Sequence, residues 1–268
     1  MHRVGMILLC ALPMAAAAVD ESETITRQFT VPAGAEVVVE NVMGSIRSKA
    51  VDGNEVRAVV RKRLQADSEE QAAEARRDVR FEAAQEGSVV RLRAVWPEHS
   101  RESRRRDYRV TFDFELQVPR GARLRLKTVL GEVAATGAGA FEVGTVNGSV
   151  ELADITGAGT ARTVNGKVHA SFARNPQEAC SFRTVNGGVD VEFQPGLSAD
   201  LHAKTLNGAV YTDHPVTHLP GAAPAGEGRG TKFVYRSNRT TTVRAGTGGP
   251  AFQFETVNGD ITIRNRGI

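Results

Sequence analysis

Two rows of side chains that could carry chemistry follow from a tetrapeptide that recurs in this 268-residue chain. Thr-Val-Asn-Gly occurs with Asn147, Asn165, Asn186 and Asn258, and Thr-Leu-Asn-Gly occurs with Asn207. If successive copies stack like on like, equivalent positions form rows of side chains about 4.8 Å apart. Stacking therefore brings together acids, bases and cations that are distant in sequence.

One row, the carboxylate–histidine row, contains Glu151, His169, Asp190 and Tyr211. Lyases and hydrolases that act on polysaccharides use carboxylates and bases on an exposed surface, so this row defines an enzyme alternative. A solvated polar face is the plainer interpretation, since no second carboxylate pair, metal cluster or Gly-x-Ser-x-Gly motif accompanies the row. We expect no catalytic residue, no metal site and no cofactor.

The other row, the basic row, lies three residues before each asparagine. In sequence order it contains Gly144, Arg162, Arg183, Lys204 and Glu255. Three stacked cations span about 10 Å, which suits neighbouring charges on an acidic polysaccharide or an anionic lipid surface. Charges that serve only solubility are the plainer interpretation.

A second basic segment, Arg101 to Arg109, holds five arginines against two acids. Its Arg104, Arg105 and Arg106 could contact anionic envelope polymers, although a solvated loop between strands explains them too. The formal charge of the whole chain is only +3, which is too mild for a dedicated nucleic-acid binder. Aromatic residues make up 6% of the chain, which argues against a pocket lined by Trp and Tyr.

In each repeat, apolar residues alternate along the sequence both before and after Asn-Gly. They occupy odd-numbered positions on one side of Asn-Gly and even-numbered positions on the other, so Asn-Gly turns a corner. Hairpins with type I′ turns satisfy this pattern, as does a β-solenoid, similar to a parallel β-helix, whose corner Asn is left-handed beside Gly. We favour the solenoid because like units stack and their Asn amides can form a ladder. The predicted structural corners are Asn147, Gly148, Asn165, Gly166, Asn186, Gly187, Asn207, Gly208, Asn258 and Gly259.

The chain divides into three predicted parts. Residues 1–18 have the Arg3, apolar and Ala15–Ala18 regions of a cleaved secretory signal. Residues 19–117 form an α+β or sandwich-like β-rich layer with one helix at about 68–78, capped by Asp67 or Ser68. Residues 118–268 form the mainly β repeat array, with a loop insertion at about 215–230 that lacks periodicity.

Three other features of the sequence do not indicate a functional site. No segment of the mature chain is apolar and long enough to cross a membrane. Cys180 is the single cysteine left after cleavage, and we expect a buried apolar residue rather than a nucleophile. His214 and His218 have the spacing of helical metal ligands, but Pro215 disfavours that helix, so we reject a metal site.

An internal match at a constant offset of 87 residues links Val31-Pro32-Ala33-Gly34-Ala35 to Val118-Pro119-Arg120-Gly121-Ala122. Together with the signal, the short helix and the Thr-Val-Asn-Gly copies, these turns resemble a bacterial cell-envelope family of putative adhesins, a domain of unknown function. The resemblance covers about residues 24–268 and implies an exported β-solenoid-like domain without established enzyme activity or cofactor. This chain departs from the pattern at Val129-Leu130-Gly131, which lacks the corner Asn, and at the 215–230 insertion.

We therefore expect an exported, non-catalytic binding or structural protein of the periplasm or cell envelope. Its expected partners are an anionic envelope polysaccharide, a lipid surface or an envelope protein, and not a nucleic acid. A periplasmic regulatory or sensor partner is the second alternative, beside the polysaccharide lyase or hydrolase.

Overall fold

Each Asn-Gly corner carries the chain from one large β-sheet to another. The computed structural model describes residues 18–97, 108–219, 226–229, 232–235 and 241–267. This part of the protein is mainly β, with two large mixed sheets and one helix, so the predicted class is confirmed at that level. The predicted signal, apart from Ala18, lies outside the described residues.

The strands of the two sheets have the following bounds. The 12-stranded sheet contains β1 (Val19–Thr30), β3 (Ile46–Val51), β4 (Glu55–Ala66), β7 (Tyr108–Pro119), β9 (Val133–Thr136), β11 (Val150–Ile155), β13 (Val168–Phe172), β15 (Val189–Phe193), β17 (Val210–Thr212), β19 (Gly226–Arg229), β20 (Lys232–Tyr235) and β23 (Ile261–Asn265). The 11-stranded sheet contains β2 (Glu36–Glu40), β5 (Arg80–Glu86), β6 (Val89–Val95), β8 (Arg123–Lys127), β10 (Phe141–Gly144), β12 (Gly159–Arg162), β14 (Cys180–Arg183), β16 (Ala199–Asn207), β18 (Val216–His218), β21 (Thr241–Ala245) and β22 (Ala251–Asn258). The helix α1 is Glu69–Asp78.

Successive repeats pair in parallel, and the register of each pair equals the sequence offset between the copies. Val150 of β11 is paired with Val168 of β13, and Glu36 of β2 is paired with Arg123 of β8 at the offset of 87. The strands that flank one Asn-Gly, such as β10 and β11, belong to different sheets. The hairpin alternative is therefore wrong for these corners.

The order of the last two repeats differs from their order in sequence. Strand β22 lies between β14 and β16, and β23 lies between β15 and β17. The C-terminal repeat is thus inserted between the repeats of Asn186 and Asn207. This position changes both rows of side chains predicted above.

The core lies between the two sheets and is filled by the inward residues of every repeat. Phe182, Phe193, Phe252 and Phe254 are almost completely buried. The rings of Phe182 and Phe254 are stacked with centroids 5.6 Å apart, and those of Phe193 and Phe252 with centroids 5.3 Å apart. The inserted repeat therefore packs its two phenylalanines against those of the Asn186 repeat.

Residues 19–117 extend the same two sheets. Strands β1, β4 and β7 form an antiparallel end of the 12-stranded sheet, and β5 and β6 form the corresponding end of the other. Ser68 caps α1, since its hydroxyl accepts a hydrogen bond from the Gln71 backbone N–H at 3.3 Å, and Ala72 and Ala75 face the core. The division at residue 117 stays a prediction, and β7 runs across it.

The predicted loop insertion at 215–230 is in part wrong. Residues 220–225 and 230 lie outside the described residues, but strands β18 and β19 lie within this segment. Strand β18 pairs antiparallel with β21 at one end of the 11-stranded sheet. The sequence signal for these short strands was weak because they extend the ends of the sheets rather than repeat the corner unit.

Candidate functional site

The site lies beside a continuous line of corner hydrogen bonds. The Oδ1 atom of each corner Asn accepts a hydrogen bond from the Nδ2 atom of the next at 2.7–2.8 Å. The order is Asn147, Asn165, Asn186, Asn258 and Asn207. This ladder fixes the height of each repeat and so the spacing of every outward row.

The corner glycines, not the asparagines, adopt the unusual backbone. Gly148, Gly166, Gly187 and Gly259 have φ of 153–158°, whereas Asp154 is the one non-glycine with positive φ in the described ranges. The predicted left-handed Asn is therefore wrong. A Cβ atom on Gly166 would lie 2.1 Å from the carbonyl oxygen of Gly148, so stacking itself requires glycine.

The threonine of the repeat has a role that the sequence analysis missed. Its Oγ1 atom donates a hydrogen bond to the carbonyl oxygen of a corner glycine in the neighbouring repeat, at 2.8–3.1 Å. These buried threonines are Thr128, Thr145, Thr163, Thr184, Thr205 and Thr256. The recurrence of Thr in every copy was the sequence feature from which this role could have been predicted.

The predicted run of three adjacent cations is wrong, because the C-terminal repeat interrupts the basic row. Glu255 lies between Arg183 and Lys204, with Oε2 3.6 Å from Arg183 Nε and Oε1 3.7 Å from Lys204 Nζ. The row extends in the other direction to Lys127, which the offset of 17 from Gly144 could have revealed.

Glu142 neutralises part of the charge at this other end of the row. Its carboxylate contacts Lys127 Nζ at 2.7 Å, Arg125 Nε at 3.1 Å and Arg162 Nη2 at 3.3 Å. The hydrogen bond from Lys127 holds the pKa of Glu142 below its usual value, and the nearby arginines act in the same direction. Arg125 also pairs with Glu36, whereas Lys127 and Arg162 of the row share Glu142, so the row keeps a positive excess here.

A groove of about 490 Å³ opens on the outer face of the 11-stranded sheet where Arg162 and Arg183 lie side by side. Thr160, Ser181 and Gln253 form an uncharged row across its floor. Arg183 donates from Nη2 to Gln253 Oε1 at 2.7 Å, which orients its guanidinium along the groove. The remaining lining includes Thr163, Thr184, Val185, Glu255 and Val257. The groove thus combines two arginines with neutral hydrogen-bonding groups, and one acid stands at its side.

The carboxylate–histidine row on the 12-stranded sheet is also interrupted, since Thr262 lies between Asp190 and Tyr211. Arg264 forms a bidentate ion pair with Asp190, and His169 Nδ1 lies 3.7 Å from the same carboxylate. The Asp190 carboxylate is therefore already engaged by Arg264 and His169. Tyr211 stands two strands from Asp190, so the phenol and this acid are not adjacent.

The pKa values in this row follow from the same contacts. Burial raises the pKa of Asp190, but the nearby His169 ring and the Arg264 guanidinium outweigh it and hold that pKa below its usual value. The nearby Asp190 carboxylate raises the pKa of His169. Burial raises the pKa of Glu151, so the two acids of the row differ in proton affinity. The network is one of ion pairs rather than an arrangement around a nucleophile.

Other candidate residues stand apart from the groove. Arg104, Arg105 and Arg106 lie outside the described residues. Cys180 is buried, and burial raises the pKa of its thiol to about 11. His214 is buried with Nε2 3.0 Å from the Arg264 carbonyl oxygen.

Within the described ranges there is no group of three or more His, Cys, Asp or Glu side chains placed to hold a metal ion. In the same ranges, no helix has the length and apolar character to cross a membrane.

No protein-family model and no curated protein matches the sequence. A putative cell adhesion protein from Clostridium sporogenes is 10% identical, with a TM-score of 0.46 over 92% of this chain and 100% of that chain. A putative adhesin from Bacteroides fragilis is 10% identical, with a TM-score of 0.28 over 91% of this chain and 97% of that chain. TM-scores under 0.5 do not establish a common fold.

Proposed function

We propose that the protein is an exported, non-catalytic binding protein of the cell envelope that holds an acidic polysaccharide in the groove at Arg162 and Arg183. The observation that carries the proposal is the pairing of these two arginines above a row of neutral hydrogen-bonding side chains. We infer that the parallel, in-register repeats form a solenoid, which would give the polymer a straight and rigid track.

The chemistry of the groove fits a uronate-containing polymer. Guanidinium groups bind carboxylates in a bidentate manner, and Thr160, Ser181 and Gln253 offer partners for sugar hydroxyls. The two arginines occupy adjacent strands about 4.8 Å apart, so a carboxylate lying between them can contact both. No aromatic side chain lines the groove, so charge and hydrogen bonds rather than ring stacking supply the affinity.

Export and envelope location belong to the same proposal. They are supported by the signal-like residues 1–18 and by the resemblance of the repeats to cell-envelope adhesins. N-terminal sequencing of secreted material is the direct check, and the mature chain is expected to begin near Val19.

The first prediction is that the double variant Arg162→Ala, Arg183→Ala loses affinity for purified polygalacturonate by at least about ten-fold, because two charge-assisted contacts disappear. Binding of the unaltered protein should weaken as salt rises, since ions screen exposed charges. Isothermal titration calorimetry at two salt concentrations measures both effects.

The matched control is Arg27→Ala, Arg63→Ala, which removes the same charge from exposed positions on β1 and β4. It should bind polygalacturonate as the unaltered protein does. In the opposite direction, Glu255→Gln should raise the affinity several-fold, because it removes the acid beside Arg183 and Lys204. Equal losses in the groove and control variants would reduce the effect to net charge and overturn the proposed site.

The enzyme alternative predicts a different result when the protein is mixed with the same polysaccharide. Acidic polysaccharide incubated with the protein should keep its chain length, because Arg264 and His169 already engage Asp190. Release of shorter products that Asp190→Asn abolishes would instead establish a lyase or hydrolase. The regulatory alternative would appear as an envelope protein cross-linked to the chain without polysaccharide binding.

A further inference from the structure

A line of aliphatic side chains runs along the corner edge of the molecule. We name it the corner ridge, and in spatial order it consists of Val129, Val146, Val164, Val185, Val257 and Leu206. Within the described ranges, every large hydrophobic residue classed as exposed belongs to this ridge or is its neighbour Leu130. Val129, Val146, Val164 and Val185 are each 38–39% exposed, and Leu206 is 53% exposed. Exposure of this kind in successive repeats marks a surface with a function rather than scattered apolar residues.

The position of the ridge decides what kind of partner fits it. It lies where the chain passes from one sheet to the other, so it follows the edge of the sandwich. Six positions at about 4.8 Å give a straight apolar line of about 24 Å. An amphipathic helix needs a hydrophobic groove to receive its apolar face, whereas a straight edge suits a flat surface.

Cations accompany the ridge near the ends of the strands that lead into the corners. Lys127, Arg162, Arg183 and Lys204 each precede a ridge residue by two positions, and Glu255 stands in the same place before Val257. In β16 and β22, which extend through the ridge position, residues two apart point to the same side. Arg183 and Val185 line the same groove, so the cations border the apolar line. Glu142 pairs with Lys127 and Arg162, and Glu255 pairs with Arg183 and Lys204. Four cations outnumber these two acids, so the edge presents aliphatic groups next to an excess of positive charge.

We propose that the corner ridge docks on an anionic lipid surface, with the aliphatic side chains entering the boundary between headgroups and acyl chains and the cations meeting lipid phosphates. Binding of this kind grows with buried apolar area and with attraction to anionic lipids. This goes beyond the polysaccharide groove, although Arg162 and Arg183 serve both surfaces. It assigns the exposed valine of the repeat a role that folding alone does not require.

The test uses the triple variant Val129→Thr, Val146→Thr, Val164→Thr. Threonine keeps the β-branched shape of valine, and none of the three residues lines the groove. The full mature chain is mixed with vesicles of equal parts phosphatidylglycerol and phosphatidylcholine and sedimented. The triple variant should bind at least about ten-fold more weakly than the unaltered protein, with its circular dichroism unchanged. Vesicles of phosphatidylcholine alone should bind neither protein.

A second variant keeps the test independent of folding defects. In the Val146→Trp variant, tryptophan fluorescence should shift to shorter wavelength when the mixed vesicles are added, because the new ring enters a less polar layer. Absence of this shift, or equal vesicle binding by the triple threonine variant and the unaltered protein, would overturn the ridge proposal. Binding of polygalacturonate by the triple variant should be unchanged, so failure of the ridge and failure of the groove give different results.

Discussion

Gly166→Ala is expected to destabilise the protein by at least about 4 kcal/mol or to prevent folding. The added Cβ atom would lie 2.1 Å from the carbonyl oxygen and 2.6 Å from the carbonyl carbon of Gly148. Both atoms belong to the backbone of the next repeat, so no side-chain movement relieves the clash. The two repeats must separate, and the Gly148 N–H to Asn165 O hydrogen bond of 3.0 Å that joins them is strained. Urea unfolding followed by circular dichroism measures the loss.

The control for this prediction is Gly121→Ala. Gly121 has φ of 81°, but a Cβ atom there would have no neighbour within 4 Å. It should cost only about 1–2 kcal/mol, the penalty of a left-handed residue with a side chain. Similar losses for the two variants would mean that backbone conformation, and not repeat spacing, dictates the corner glycines.

Phe254→Ala is expected to cost about 3–5 kcal/mol, the usual range for removal of a buried phenylalanine side chain. Phe254 is 1% exposed, stacks on Phe182 and meets the edge of the Phe193 ring with centroids 6.4 Å apart. Its loss opens a cavity between the inserted C-terminal repeat and the repeat of Asn186. Chemical denaturation of the purified variant provides the value.

Phe81→Ala is the matched comparison, because Phe81 is only partly buried and contacts Phe114 with ring centroids 6.0 Å apart. It should cost clearly less than Phe254→Ala. An equal or smaller cost at Phe254 would contradict the position of β22 in the middle of the packed repeats.

Much of the architecture could be predicted from the sequence, because the position of Asn-Gly in each repeat indicates how that repeat aligns with its neighbours. Alternation around Asn147 and Asn165 predicted strands on both sides of a corner. The pairing of Glu36 with Arg123 has the same offset of 87 as the internal match in the sequence. Helix α1 was predictable because its Ser68 cap and buried Ala72 and Ala75 are local features. The location of Arg162 beside Arg183 followed from the same register.

The order of the last two repeats could not be predicted, since near-identical corners stack equally well in either order. Asn186 is 21 residues before Asn207, as close as earlier neighbours, yet Asn258 lies between them. This choice decides that Glu255 interrupts the cations and that Thr262 interrupts the carboxylate–histidine row. The need for glycine at Gly166 was equally hidden, because it arises from the backbone of the adjacent repeat.

The insertion of the C-terminal repeat is the central claim, because it decides which charges border the groove. Two cysteine pairs test it in a Cys180→Ala background. Ser181 and Gln253 are direct partners on adjacent strands, whereas His202 lies one strand beyond Gln253. Adjacent parallel strands bring Cα atoms to about 4.8 Å, within disulfide reach, and a second strand doubles the distance beyond that reach. Under mild oxidation, the Ser181→Cys, Gln253→Cys protein should form the internal disulfide and the Ser181→Cys, His202→Cys protein should not. The reverse result would contradict the account.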